Sequence, residues 1–288
     1  MIGLSPETTP TRRGEIMTDG VITKKGVSPG KTLTIMAGVH GDEICGPEAF
    51  KELIPTLDIK RGTVHFIVAN LEALTLGERQ VDMNLNRAFR PNKLLTAKER
   101  GTYERKRALE LMPYLRESEA LLDVHSSMTK KSKPFIICEP HSFPIAKRLR
   151  FGIRSHGWDV IEAGGTDYFM NTMGKIGICI ECGNHNDPKA PKLARESIIR
   201  FLTIMGAIDG RLPRECKSQK VMHAFGIYKT ETNFRKAREF EDFEPLPKGT
   251  PIGYDGKKKV LAPENMLIIF PRNQDLPGKE AFILGRYE

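Results

Sequence analysis

No apolar run in the sequence approaches the roughly 18–20 residues that a bilayer-spanning helix needs. The first twenty residues, MIGLSPETTPTRRGEIMTDG, also lack the apolar centre of a secretory signal. These two absences set a cytoplasmic location and no membrane partner as the expectation. Cysteine is scarce and odd in number. Cys45, Cys138, Cys179, Cys182 and Cys216 lie mostly inside apolar, strand-like runs, which argues against a disulfide framework and for reduced, buried thiols. The C-x-x-C of Cys179 and Cys182 sits within such a run rather than at a strand-to-helix turn, so a redox role is set aside. Aromatic residues are missing from within the basic clusters. The net charge is +9, but TKKSK (129–133), KRLR (147–150) and GKKKV (256–260) are short and scattered. With nothing to stack a base, they are expected to be solvated faces, and no nucleic-acid partner follows from them. No internal repeat or low-complexity segment appears, so repeat architectures are excluded.

What is present is an ordinary globular composition of 288 residues, 39% apolar and 28% charged, long enough for one large core or one core with a small appended domain. Short β-branched runs alternate with segments of helical spacing, the pattern of an α/β layer architecture. Strands are expected at 32–39, 63–70, 120–125, 134–140 and 176–183, all apolar enough for a covered sheet. Helices are expected over 46–57, 96–116, 142–156 and 188–207, the second opening with Thr96 and, three residues on, Glu99. After about residue 212 helical periodicity stops, and short strand candidates are separated by Pro and Gly. The division expected is an N-terminal segment over 1–20 without fixed structure, a catalytic unit over 21–212 and a small β-rich unit over 213–288, with the boundary near DGRLPRE (209–215).

The chemistry begins at MAGVHGDEICG (36–46), where a strand ends at Val39 and His40 and Glu43 follow it. Ligand sites of α/β sheets gather at that edge. Imidazole nitrogen and carboxylate oxygen are both zinc donors, and a catalytic zinc needs a third protein ligand. LLDVHSSM supplies one: His125 closes another strand, and Asp123 stands two residues before it to orient an imidazole. An isolated H-x-x-E recurs by chance in many chains; agreement in donor type between two strand ends is what gives it weight. GICIECG adds Glu181 inside an apolar strand, where a carboxylate is costly to bury unless it handles protons or faces a cation. ERQVDMNLNRAFRP (78–91) adds Arg79 and Arg87 with Asn84 and Asn86, planar donors suited to a carboxylate and a developing oxyanion, although alone it reads as a solvated loop.

Taken together, HGDE, the arginine before VDMNLNRAF, LLDVHSS and GICIECG stand in the order and approximate spacing of the succinylglutamate desuccinylase/aspartoacylase family of zinc deacylases, relatives of the zinc carboxypeptidases. The resemblance covers about residues 31–207, and the C-terminal segment looks like the small β domain that this family appends. It implies a mixed central sheet flanked by helices, with one Zn²⁺ per chain on His40, Glu43 and His125. Glu181 becomes the catalytic carboxylate, Arg79 the group that polarises the scissile carbonyl, and Asn86 with Arg87 the pair that holds the amino-acid carboxylate of a small anionic N-acyl amino acid. Two positions depart from the pattern. Asn171 stands where aspartoacylases carry an arginine for a second substrate carboxylate, which weakens N-acetylaspartate as the substrate, and Asn84 replaces an aspartate. The residues after His125, with Lys130, Lys131 and Lys133, leave the acyl pocket unassigned; His185 and Tyr168 are placed near the cleft or in ordinary packing. Two other functions compete: a zinc carboxypeptidase acting on a short peptide, and a non-enzymatic basic binding protein on the same fold. The intact ligands and glutamate argue against the non-enzymatic reading; the motifs barely separate the other two, and the short chain with its β appendage favours amide hydrolysis outside peptide bonds.

Overall fold

The computed structural model describes residues 19–288, so the expectation for residues 1–20 falls almost wholly outside the described residues. The chain opens with β1 (Val21–Lys25), β2 (Ser28–Ala37), α1 (Cys45–Leu53), β3 (Arg61–Val68), α2 (Leu71–Leu76), α3 (Ala97–Arg100), α4 (Tyr103–Glu117) and β4 (Ala120–Ser127). It continues through β5 (Phe135–Ile137), α5 (Phe143–Ala146), β6 (Ile153–His156), α6 (Trp158–Ile161), α7 (Thr166–Thr172), β7 (Ile176–Asn184) and α8 (Ala190–Ile204). The remainder is strand: β8 (Lys220–Lys229), β9 (Phe234–Lys236), β10 (Glu244–Leu246), β11 (Pro251–Asp255), β12 (Lys258–Leu261), β13 (Met266–Ile269) and β14 (Glu280–Tyr287).

Eleven strands form one mixed sheet in the order β1-β3-β2-β4-β7-β5-β6-β8-β14-β13-β10, and β12-β11-β9 make a separate three-stranded antiparallel sheet. At its centre β3, β2, β4 and β7 run parallel, which requires crossover connections and so places helices over the faces. On one face, Ala190, Ala194, Ile198 and Phe201 of α8 recur at helical spacing and pack with Phe50 of α1 and Phe66 of β3. Phe50 and Phe66 meet edge to face with centroids 5.5 Å apart. Burying each such ring contributes about 1.5–3 kcal/mol. On the other face Leu111 and Leu115 of α4 cover Met36, Ile67 and Leu121.

The expected mixed α/β architecture with a small C-terminal β part is therefore present. The strands beyond residue 213 do more than form that small sheet: β8 pairs in parallel with β6, from Ile153↔Lys220 to His156↔His223, and carries β14, β13 and β10 onto the main sheet. Two local expectations are corrected. The helix expected over 142–156 is only a 3-10 turn and the single turn α5; Arg150 adopts a left-handed backbone (φ 64°), and the chain then extends into β6. The helix expected over 96–116 is two, α3 and α4, separated at Gly101 and Thr102; Thr96 and Glu99 do form a reciprocal capping box.

Candidate active site

The centre of the site lies at the C-terminal ends of β2, β4 and β7. Leaving β2, the chain turns at Gly38 (φ 62°) and runs against α2 so closely that a Cβ on Gly41 would lie 2.1 Å from the carbonyl carbon of Ala73. That approach holds His40 and Glu43 over the sheet edge. β4 and β7 bring the other groups in register: His125 is the pairing partner of Glu181, and Asp123 that of Cys179. Partners in a parallel ladder point to one face, so His125 and Glu181 emerge together.

His40, Glu43 and His125 converge, with one ligand atom from each lying within 4.8 Å of the others, and all three are buried. His40 Nδ1 is 2.7 Å from Glu43 Oε1, and His125 Nδ1 is 2.8 Å from Glu43 Oε2. The opposite edges of both rings face acceptors. His40 Nε2 donates to Asn84 Oδ1 at 2.9 Å, an oxygen that also accepts the Asn86 backbone N–H, and His125 Nε2 lies 3.1 Å from Asp123 Oδ2. With both Nε2 atoms bearing the proton, both Nδ1 lone pairs point at a carboxylate. Acceptors facing acceptors at such distances call for a cation between them, and two imidazoles with one carboxylate suit a divalent metal ion. The sequence left the consequence of Asn84 open; here it fixes the His40 tautomer. Asp123 faces the Nε2 edge of His125 and is itself held by the Thr166 hydroxyl at the start of α7.

Glu181 stands beside this triad, 7% exposed, and its Oε2 has no hydrogen-bond partner among the described residues. Burial first, and the Glu43 charge second, push its carboxyl well above the usual carboxylate range. Arg79 donates to Glu43 Oε1 at 3.2 Å and is partly open to solvent. A group inclined to hold a proton and a guanidinium thus flank the same cation-seeking cluster.

The 78–91 loop, which read alone as solvated, is pinned from α4. The fully buried Glu104 carboxylate accepts the backbone N–H groups of Val81, Asp82 and Met83 at 2.6–3.3 Å. The next residue, Arg105, donates to the carbonyls of Ala88 and Arg90 and to Asn92 Oδ1. Arg79, Asn84, Asn86 and Arg87 are thereby held on one wall of an open cleft of about 820 Å³, solvent mouth included. Arg87 is not free to solvent: its Nη2 donates to Glu162 at 2.6 Å and to Glu280 at 2.9 Å, and Glu280 also accepts from Arg272 at 3.3 Å. Glu162, Glu280, Arg272, Asp159 and Asp167 all line the cleft and were not singled out in the sequence. The run HGWDVIEAGGTD carries three of them close together, a signal that was there to read. Arg272 and Glu280 lie far along the chain and arrive only because β14 and β13 join the main sheet.

The succinylglutamate desuccinylase/aspartoacylase catalytic-domain model matches residues 29–204. The chain belongs to the succinylglutamate desuccinylase/aspartoacylase family. The succinylglutamate desuccinylase of Vibrio vulnificus is 22% identical over 285 residues, covering 92% of this chain and 83% of that protein. A probable aspartoacylase of Prochlorococcus marinus is 29% identical over 171 residues, 54% of either chain. Among solved structures, the succinylglutamate desuccinylase of Vibrio cholerae superposes with a TM-score of 0.73 at 19% identity, covering 93% of this chain and 87% of that one. The product-bound ectoine utilization protein of Ruegeria pomeroyi gives 0.70 at 20% identity, with 92% and 88% covered. These likenesses agree on the fold, and with the His40–Glu43–His125 cluster they make the chain a hydrolase of this family with a candidate metal site.

The other residues weighed in the sequence fall as follows. Asp42, Glu43 and His185 form a second cluster with ligand atoms within 4.8 Å, but it shares Glu43, and His185 Nδ1 is engaged by the Ser126 hydroxyl at 2.9 Å. Lys131 and Lys133 pair with Glu241 at 2.9 and 3.5 Å on an exposed surface, as solvated lysines do. Asn171 donates to Asp159 at 3.0 Å. The five cysteines are free thiols, four of them buried. No helix among the described residues is long and apolar enough to cross a membrane.

Proposed function

We propose that this family member is a zinc-dependent deacylase that hydrolyses the amide bond of a small N-acyl amino acid, anionic through its α-carboxylate, in the cytoplasm. The observation that carries the reading is the in-register pairing of His125 with Glu181, which sets an unpartnered, buried carboxyl beside a cluster of three metal-type donors. His40, Glu43 and His125 would hold one Zn²⁺. A zinc ion so bound supplies Lewis-acid polarisation and lowers the pKa of water toward about 7. Glu181 takes the proton of the attacking water and delivers it to the leaving amine nitrogen, a shuttle suited to a carboxyl whose pKa is raised by burial. Arg79, at the open side of Glu43, donates to the carbonyl oxygen as negative charge develops there. Asn86 and Arg87 hold the amino-acid carboxylate. Residues 213–288 act as a unit closing the cleft, through Phe270, Arg272 and Glu280.

Metal analysis of the purified protein, followed by a screen of N-acetyl and N-succinyl amino acids against short peptides, tests metal and substrate together. One zinc per chain with turnover of N-acyl amino acids is expected. Cleavage of peptides alone, or a metal-free protein that hydrolyses neither, overturns the reading.

A further inference from the structure

The cleft has an unusual charge balance. Its lining carries six carboxylates against three guanidiniums. Most of these charges are matched: Glu162 and Glu280 sit on Arg87 and Arg272, and Glu43 faces Arg79 and the two imidazoles. Glu181 belongs to the reaction centre, where its nine-tenths buried side chain aims an unpartnered Oε2 into the cleft. Asp159 and Asp167 are left over. Neither has a cation within ion-pair distance among the described residues; Asp159 accepts only from the neutral Asn171 amide, and Asp167 only from the backbone N–H of Tyr168. Around them are further acceptors in want of donors. Asn86 Oδ1 and Asn171 Oδ1 are buried with no hydrogen-bond partner. Gly165 brings two of these groups side by side, since a Cβ there would lie 2.6 Å from Asp167 Oδ1 and 3.8 Å from Asn86 Oδ1.

Unpaired carboxylates with the idle Asn86 oxygen on the lining of a substrate-sized cleft ask for a positive group with several N–H donors. Burial first, with the Glu139 charge acting on Asp159 and the Asp159 charge on Asp167, already pushes the Asp159 carboxyl up to about 6 and that of Asp167 up to about 7, the response of carboxylates with no cation at ion-pair distance. Ile137, Trp158 and Cys179, which also line the cleft, suit an apolar methylene stem leading to such a group.

We propose that this cleft selects N-acyl amino acids whose side chain ends in an ammonium group, seated on Asp159 and Asp167, and rejects those with an acidic side chain. The assignment rests on the deacylase reading and gives it a substrate class: N-acyl derivatives of diamino acids. An acidic side chain would add a third negative charge to two unpaired carboxylates, whereas an ammonium completes them.

The test uses the zinc-loaded full chain and three N-acetyl substrates of similar length: ornithine (cationic), norvaline (neutral) and glutamate (acidic). Expected kcat/KM for N-acetylornithine exceeds that for N-acetylnorvaline by at least about tenfold and that for N-acetylglutamate by about a hundredfold. In Asp159→Asn and Asp167→Asn the ornithine-to-norvaline ratio falls by about tenfold, while Lys131→Ala, on the outer surface, keeps it. Calorimetric binding of free ornithine, norvaline and glutamate to the same protein runs in parallel and needs no turnover. If no N-acyl amino acid is hydrolysed, the deacylase reading fails, yet tighter binding of ornithine that is lost in the Asn variants still supports the cation subsite. Equal treatment of the three side chains in both measurements, or preference for glutamate, overturns it. So does millimolar Mg²⁺ or Ca²⁺ raising turnover of all three alike through Asp159 and Asp167, because the pair would then be a metal site.

Discussion

Replacing Gly41 with alanine tests whether the close approach of the His40–Glu43 loop to α2 holds the metal donors. A Cβ at this position would lie 2.1 Å from the Ala73 carbonyl carbon, 2.2 Å from its oxygen and 2.3 Å from Leu74 N, all backbone atoms of one helix that cannot rotate away. Ordinary contact requires a separation larger by more than about 1 Å, so the loop must lift off α2. Gly41 N also donates to the Arg79 carbonyl at 3.4 Å, and lifting it moves the two walls of the site apart. Overpacking of this kind costs about 1–3 kcal/mol. For a chain of this size that lowers Tm by about 3–8 °C. Because His40 and Glu43 ride on the displaced segment, zinc affinity should drop at least about tenfold beyond the stability loss. Scanning calorimetry and competition with a chromophoric chelator read the two effects. Gly152→Ala is the control: a Cβ there meets nothing within 4 Å, so melting and zinc affinity should stay at wild-type values. Should Gly41→Ala melt within about a degree of wild type and hold zinc as tightly, the placement of the donors by this contact is refuted.

Four further outcomes are expected. Glu181→Gln should keep its zinc and lose hydrolysis by about 10²–10⁴-fold, since the amide cannot take the proton; full turnover in that variant would remove Glu181 from the mechanism. His125→Ala should lose stoichiometric metal, checked by elemental analysis after dialysis. Asp123→Asn should weaken zinc binding by about 10–100-fold through the loosened His125 Nε2–H, and unchanged affinity would show that the 3.1 Å contact does not orient the ring. The last concerns pH. The carboxyls of Asp159 and Asp167 are raised by burial to about 6 and about 7, so the folded state binds their protons more tightly than the unfolded chain does. Their contribution to stability is therefore most favourable at low pH and declines as pH rises from about 4 through 7. The Asp159→Asn/Asp167→Asn double variant should exceed wild type by about 2 kcal/mol at pH 8, with the advantage shrinking as pH falls through about 7 and 6 and gone only below about pH 4, measured by denaturant unfolding. An advantage that is independent of pH would contradict the assigned cause.

How much of this was legible in the sequence depends on the range of the interactions concerned. The central strands were legible because β-branched apolar runs declare themselves locally, and the capping box at Thr96 and Glu99 did so too. β6 was not: IRSH is short and polar, and its strand character comes from lying between β5 and β8, about 60 residues away along the chain in the second case. The metal donors and Glu181 were legible because each ends a readable strand, and parallel strands in register deliver their ends to one place. The 78–91 loop looked like a solvated one because Glu104 and Arg105 read as two ordinary charges at the start of α4, when in fact both are buried and hold that loop's backbone. Asp159 and Asp167 are the furthest from sequence reading. A carboxylate is written the same way whether or not a guanidinium waits for it; Glu162 and Glu280 found Arg87, Asp159 and Asp167 found amides. Which charge goes unpaired is decided by the whole three-dimensional set of partners. The candidate metal cluster and the carboxyl beside it can therefore be read from motifs at strand ends, whereas the proposed choice of substrate has to be read from the charges that folding leaves unmatched.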